Sequence, residues 1–303
     1  MQIKINHIGH IFNRKTPWEF HGLKDVNLEI SENEYIGIIG STGSGKTTLI
    51  EHLNVLLNPT FGSIEWIFNA DIYNKKTKKI ENTNLHITND SKNSKKLKNI
   101  IDIRKKIGVV FQFAEYQLFK NTIREDIAFG PIAFGMDKEK AYQKASEVIK
   151  MVGLSEEYLE RSPFELSGGQ KRRVAIAGIL AMDPEIMIFD EPTAGLDPVG
   201  VKEVLDILTN LHKNGKTIIN VTHDLDHVLE RAQKVIILKE GSLVASGKPY
   251  ELLSDINLLV QNHLQPPKLL EFVDKLRKLN INVPEVKSMQ ELIDYLNSLK
   301  GGN

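Results

Sequence analysis

The 303-residue sequence predicts an α/β fold, a mostly parallel sheet flanked by helices with antiparallel strands ahead of it. Three observations carry that prediction. Continuous apolar runs at 35–39, 186–189, 217–221 and 235–238 read as buried strands. Helix-like stretches separate the last three runs, a βαβ rhythm. The run Tyr35-Ile36-Gly37-Ile38-Ile39 leads directly into Gly40-Ser41-Thr42-Gly43-Ser44-Gly45-Lys46-Thr47. That loop has the form G-x-x-x-x-G-K-[ST] and opens a helix.

In chain order, the first segment alternates polar and apolar residues, as in Gln2-Ile3-Lys4-Ile5 and Val26-Asn27-Leu28-Glu29-Ile30. These read as strands of a half-covered antiparallel sheet. A helix is expected from Thr47 to about Leu57, ending before Pro59. Residues 70–100 are dominated by Lys, Asn and Thr and read as a solvated insertion, disordered in part. Only Tyr73 interrupts the charge there, so the aromatic ladder of a nucleic-acid groove is missing. Helical patterns fill 138–152 and 169–181. Gly247-Lys248-Pro249 marks a change of character, and beyond Pro266-Pro267 two amphipathic helices are expected. Leu269, Phe272, Val273, Leu276 and Leu279 share one face, and Leu292, Ile293, Leu296 and Leu299 another. Ser288 with Glu291 forms a capping box. Two short helices seldom fold alone, so they are expected to dock on the main domain or on a partner.

Lys+Arg and Asp+Glu balance at 39 each, so no net field points to nucleic acid, and none is expected as a partner. No run approaches the roughly 18 apolar residues of a membrane span. The first residues lack the apolar centre of a signal peptide. Cysteine is absent, which removes disulfides and thiolate metal sites. A cytoplasmic location is favoured because ATP and Mg²⁺ are found there.

The glycine-rich loop lets backbone N–H groups surround phosphates, with the following helix's N-terminus adding positive charge. Gly40, Ser41, Thr42, Gly43, Ser44 and Gly45 supply the cradle, followed by Thr48. Lys46 reaches the β- and γ-phosphates, and Thr47 places its hydroxyl on Mg²⁺. Asp190 ends the buried run Ile186-Met187-Ile188-Phe189, at the strand edge where open α/β sheets bind ligands. It is expected to hold Mg²⁺, with Glu191 orienting and polarising an attacking water. Leu166-Ser167-Gly168-Gly169-Gln170 then offers a second set of N–H groups and a hydroxyl. One site does not need two phosphate cradles, so this pentapeptide is expected to serve a nucleotide held by another chain.

Taken together these motifs resemble the nucleotide-binding subunits of ABC transporters, over about residues 3–247. The order agrees: phosphate loop, Gln112, Leu166–Gln170, acidic strand, Gly195-Leu196-Asp197, then His223. The resemblance implies a P-loop NTPase with a RecA-like core, an N-terminal antiparallel β subdomain and an inserted helical subdomain at about 115–180. Residues 1–247 form the nucleotide-binding domain, and 248–303 a small C-terminal helical extension. It also implies that Gln112 senses metal and γ-phosphate and that His223 hydrogen-bonds the γ-phosphate. Asp197 crosses toward a partner's phosphate loop, and Ser167, Gly168, Gly169 and Gln170 close over a partner's nucleotide. A single aromatic stacks on adenine; Phe12 matches, with His10 and Trp18 as alternatives.

A closer likeness lies in Phe111-Gln112-Phe113-Ala114-Glu115-Tyr116-Gln117-Leu118-Phe119, in Ile127-Ala128-Phe129-Gly130-Pro131, and in the C-terminal helix pair. These resemble the second-type ATPase of energy-coupling factor (ECF) importers of vitamins and trace metals. Position 114 is Ala where that family often has Pro, and the 70–100 insertion is longer than expected. The resemblance implies a head-to-tail ATP sandwich, a heterodimer with a second ABC ATPase, bound to the cytoplasmic face of the cell membrane. A transmembrane coupling subunit is expected to contact Glu115, Tyr116 and Gln117, with Glu115 pairing to a base on that subunit. A separate membrane protein captures the substrate. Another ABC importer or exporter shares this enzymology, and a soluble ABC ATPase is the rival class. Adenylate kinases and GTPases share only the phosphate loop.

Overall fold

A computed structural model describes residues 1–74, 78–91, 97 and 99–300. Alternation at the start of the chain produces β1 (Gln2–Phe12) and β2 (Phe20–Ile30), which pair antiparallel and are longer than the sequence pattern indicates. The sheet is completed by β4 (Phe61–Asn74) and β5 (Lys79–Asp90), in the order β2-β1-β4-β5.

The last pair corrects an expectation. Within 70–100, where partial disorder was expected, β4 and β5 form a hairpin paired from Ser63↔Asp90 to Asn74↔Lys79. Solvation is borne out, since Lys79–Asn84 are exposed. The lysine clusters at 75–77 and 92–96 lie outside the described residues.

The second sheet has the order β10-β9-β3-β8-β7-β6. Its strands are β3 (Tyr35–Ile39), β6 (Ile107–Val110), β7 (Ile186–Asp190), β8 (Thr217–Val221), β9 (Lys234–Lys239) and β10 (Ser242–Gly247). All its pairings are parallel except β9–β10. The continuous apolar runs are explained by burial on both faces. Ile36, Ile38 and Ile188 face a core shared with the antiparallel sheet, whereas Tyr35, Ile39, Met187 and Phe189 face the helices. Trp66 is fully buried in the first core, its indole N–H donating to the Leu53 carbonyl at 3.0 Å.

Between the strands run α1 (Lys46–Leu53), α2 (Ile100–Lys106), α3 (Ile123–Ala133), α4 (Lys138–Met151), α5 (Gly168–Leu180), α6 (Pro198–Lys213) and α7 (Leu225–Arg231). Helix α1 stops short of the expected Leu57; Val55 already has φ 55°, which ends helical geometry. Helices α3, α4 and α5 pack on one another and build the helical part between β6 and β7.

The tail forms α8 (Pro249–Leu253), α9 (Ile256–Gln261), α10 (Lys268–Lys278) and α11 (Met289–Lys300). It docks on the main body: Leu253, Leu269, Val273 and Leu292 join the core that contains Val228 and Leu229 of α7. The buried face of α10 is rotated from the expected one. Leu270 is buried, whereas Phe272 and Leu279 are exposed, as are Ile293 and Leu299 of α11. The cap of α11 is also offset by one residue. Ser288 Oγ accepts from Glu291 N at 3.2 Å, but the Glu291 carboxylate accepts from Lys287 N at 2.7 Å.

Candidate nucleotide site

The phosphate loop joins the C-terminal end of β3 to α1, so the N-terminal N–H groups of α1 face the sheet edge. Two glycines there have positive φ that favours glycine. Gly43 (φ 78°) has open space where a Cβ would stand, as a cradle for a bulky ligand needs. Gly45 (φ 100°) passes so close to the Gly22 carbonyl that a Cβ would lie 2.7 Å from it. Lys46 Nζ donates to the carbonyls of Gly40 at 2.6 Å and Ser41 at 3.0 Å. Burial holds its ammonium below the usual lysine range, opposed by Glu191 and Asp190. These hydrogen-bond partners are neutral, so an anion is the partner the loop lacks. Triphosphate therefore fits the residues present.

Asp190 is the last residue of β7, as expected. Burial raises its carboxyl above the usual range, and the neighbouring Glu191 adds to the rise. Lys46 and a hydrogen bond from Thr47 oppose it. A hydroxyl and a carboxylate thus meet in a site that disfavours an uncompensated negative charge. That donor set suits a hard cation with oxygen ligands. Glu191 follows with φ 49°, a left-handed conformation unusual for this residue and typical of functional turns. Its backbone N–H donates to Val221, and Ala194 N closes a turn onto its carbonyl at 3.1 Å. Its carboxylate accepts from His223 Nδ1 at 2.9 Å. The structure thus brings Lys46, Thr47, Asp190, Glu191 and His223 to one edge of the sheet. Gln112 is exposed, two residues beyond the end of β6.

Phe12 lies against the start of α1, within reach of Gly22 and Thr48. It stacks on Phe20 at 4.8 Å and meets His10 edge-on at 4.3 Å. Behind it His52 of α1 is buried. His52 Nδ1 donates to the Thr48 carbonyl at 2.7 Å, and His52 Nε2 lies 3.1 Å from His10 Nδ1. Burial pushes the His52 imidazole down to about 4, and burial also lowers His10. Trp18 is on the hairpin turn and largely exposed. Phe20 and His52 are members of this cluster that sequence reasoning did not single out. A second aromatic eight residues after Phe12, at the start of a paired strand, was the available signal.

Ser167 is the N-cap of α5. Its hydroxyl accepts from Gln170 N at 3.3 Å, and Gln170 Oε1 accepts from Ser167 N at 3.0 Å. Gln170 Nε2 also donates to the Tyr158 hydroxyl at 3.3 Å. The Gln170 side chain, expected at a nucleotide, is thus occupied within the chain by this capping box. Gly168 and Gly169 remain as first-turn N–H donors, with open space above Gly168. Asp197 caps α6 through Gly200 N at 2.7 Å. Ser167, Gly168, Gly169, Leu196 and Asp197 line one cleft of about 360 Å³, and none of residues 40–48 lines it.

One expectation fails. Glu115 does not present a free carboxylate to a partner. Both its oxygens accept from Arg172 of α5, at 2.9 and 2.6 Å, and it is largely buried. Tyr116 and Gln117 beside it are exposed.

Comparison with known proteins accords with this geometry. Residues 23–194 match the ABC transporter family model. The chain is 60% identical, over 98% of its length and 96% of the relative's, to the energy-coupling factor transporter ATP-binding protein EcfA2 of Mycoplasmopsis synoviae. It is 46% identical, over 92% and 90%, to the protein of that name from Bacillus licheniformis. Among solved structures, cbiO1 of Clostridium perfringens, part of the ABC transporter complex cbiONQ, superposes with TM-score 0.68 at 31% identity, covering 90% of this chain and 98% of that one. The dimeric ABC transporter cassette MJ0796, in a post-hydrolysis state with ADP and phosphate, gives 0.64 at 30% identity, covering 82% and 98%. The chain therefore belongs to the ABC transporter family as an ATP-hydrolysing member, and within it to the energy-coupling factor ATP-binding proteins.

Proposed function

We propose that this chain is one half of an ATP-driven motor, paired head to tail with a second ABC ATPase and coupled to a membrane importer of the energy-coupling factor type. The observation that carries the pairing is the separation of two half-sites on one chain. Lys46, Thr47, Asp190 and Glu191 gather at the phosphate loop, whereas Gly168, Gly169 and Asp197 share a cleft the loop does not line. Each half-site is completed by a neighbour's other half. The full-length similarity to energy-coupling factor transporter ATP-binding proteins supports the transport assignment.

Mg²⁺, when bound, would offset the negative charge of the triphosphate. Lys46 and the loop N–H groups bind and orient the phosphates. Thr47, Asp190 and Gln112 hold the metal. Glu191 positions a water and takes its proton, and His223 donates to the γ-phosphate once released from Glu191. Phe12 stacks the base. Ser167, Gly168 and Gly169 of the opposite subunit exclude bulk water from above.

Among the described residues no helix is long and apolar enough to cross a membrane. The proposed membrane location rests on a transmembrane partner. Two residues after Gln117 in the chain begins the lining of a groove of about 570 Å³, formed by Phe119, Phe129, Ile132 and Tyr142 with Lys120, Asn121 and Glu125. Phe119 and Phe129 meet edge-on at 4.9 Å, each about half exposed. This groove of aromatic, polar and charged side chains, with Lys120 Nζ 5.0 Å from both Phe ring centroids, suits an amphipathic helix of the transmembrane coupling subunit on the cytoplasmic side, and a separate membrane protein supplies the substrate. The test is site-resolved hydrolysis in the assembled complex carrying Ser167→Arg in this chain only. Hydrolysis is expected to fail at the nucleotide bound by the other ATPase. Failure confined to this chain's own phosphate loop would sink the head-to-tail arrangement.

A further inference from the structure

Arg172 is among the largest fully buried side chains, 2% exposed, and lies three residues past Gly169 on α5. Its guanidinium joins three segments. Nε and Nη2 donate to the two Glu115 oxygens at 2.9 and 2.6 Å. Nη1 donates to the carbonyls of Pro192 at 2.9 Å and Ala194 at 2.7 Å. The Phe113 ring centroid lies 5.9 Å from the guanidinium. One planar group thus connects the 113–117 segment, the helix capped by Ser167, and the loop running from Glu191 to Asp197.

The geometry points to Arg172 as a positioning residue that passes movement of the 113–117 segment to the Glu191 loop. The planar fork holds its donors at fixed mutual angles, so turning Glu115 turns the donors that grip Pro192 and Ala194. In a buried setting these charge-assisted bonds are costly to leave unmade, so the four contacts move together rather than part. The loop at the far end is sensitive. Glu191 is held at φ 49° by a turn that ends at Ala194, and Arg172 grips the carbonyls of both Pro192 and Ala194. A small displacement therefore reorients the Glu191 carboxylate, which lies against His223. Phe113, itself at φ 58°, starts the segment in a conformation that also depends on its surroundings. This inference rests on the reading that a membrane subunit docks beside Tyr116. It adds the path by which docking reaches hydrolysis.

The experiment uses the complete complex with its membrane subunit, compared with the ATPase pair alone. In Arg172→Lys the charge remains, but a lysine cannot make the bidentate pair and both carbonyl bonds at once. The ratio of hydrolysis with the membrane subunit to hydrolysis without it is expected to fall more than threefold, with the half-saturating ATP concentration changed less than twofold. Glu115→Gln, a second variant of unchanged shape, is expected to lower the same ratio. The double variant should be no worse than the worse single one, since both lie on one path. A wild-type ratio in Arg172→Lys and Glu115→Gln overturns the relay alone. So does an equal loss with and without the membrane subunit, which marks a purely structural role. A wild-type complex that shows no stimulation overturns the transport reading and the relay together.

Discussion

Glu191→Gln isolates the proton-accepting step from everything else the site does. The amide has the same shape, and its carbonyl can still accept from His223 Nδ1, a bond of 2.9 Å in the native chain. The turn closed by Ala194 N onto the Glu191 carbonyl involves only backbone and stays intact. What disappears is basicity and one negative charge. Loss of a positioned general base typically slows a reaction by about 10²- to 10⁴-fold, or about 3–5 kcal/mol in the barrier. The charge acts in the opposite direction on binding. Glu191 is one of the causes that raise the Asp190 carboxyl, so its removal makes Asp190 easier to ionise beside Thr47 and the metal. We therefore expect kcat to fall by two orders of magnitude or more, with MgATP affinity equal to or tighter than native. The assay is phosphate release by the purified complex at saturating MgATP, with equilibrium nucleotide binding measured in parallel. A kcat within threefold of native refutes the role of Glu191. A binding loss as large as the kcat loss would show that the residue holds substrate instead.

Three further outcomes follow from the geometry. Phe12→Ala should weaken ATP binding by about 1–3 kcal/mol, the usual worth of an aromatic stack on a base. Trp18→Ala should leave binding unchanged, and the reverse pattern in nucleotide titrations would move the adenine platform to the hairpin turn. His52 titrates near 4 in the fold but near its ordinary 6.5 when unfolded, so the unfolded chain binds the proton first. Stability is therefore complete above about pH 6.5 and is lost as pH falls toward 4, by about 2 kcal/mol between pH 7 and 5. Urea melts of His52→Gln should lose that increment, and an unchanged slope would contradict it. Gly45→Ala should lower stability and abolish nucleotide binding, because the new Cβ meets the Gly22 carbonyl at 2.7 Å from a backbone with φ 100°. A variant with native melting temperature and native ATP affinity would show the loop tolerates a side chain there.

Features set by local chemistry could be read from the chain alone. The phosphate loop and the apolar strand before Asp190 each depend on residues a few positions apart, and the structure places them accordingly. The hairpin over 61–90 could not be read, because most of β5 is solvated and carries Asn and Thr rather than an apolar alternation. Its pairing with β4 is a backbone ladder, to which periodicity is blind. Glu115 was misread for a different reason. Its partner Arg172 is 57 positions away, and a carboxylate in a surface-like segment gives no sign that the fold delivers a guanidinium to it. The face of α10 went wrong because the tail wraps over α7. Which leucine is covered depends on the surface beneath, not on the helix itself.

The bond between His223 and Glu191 bears on what an isolated subunit can be expected to do. A carboxylate only accepts, so Nδ1 carries the proton and the other nitrogen of a neutral ring has none to offer a phosphate. At rest the base and the donor neutralise each other. On the proposed roles, this clasp restrains idle turnover in addition to the missing half-site of the neighbour. A slow rate from the lone chain would then reflect the clasp together with the absent half-site, not the strength of the chemistry behind them.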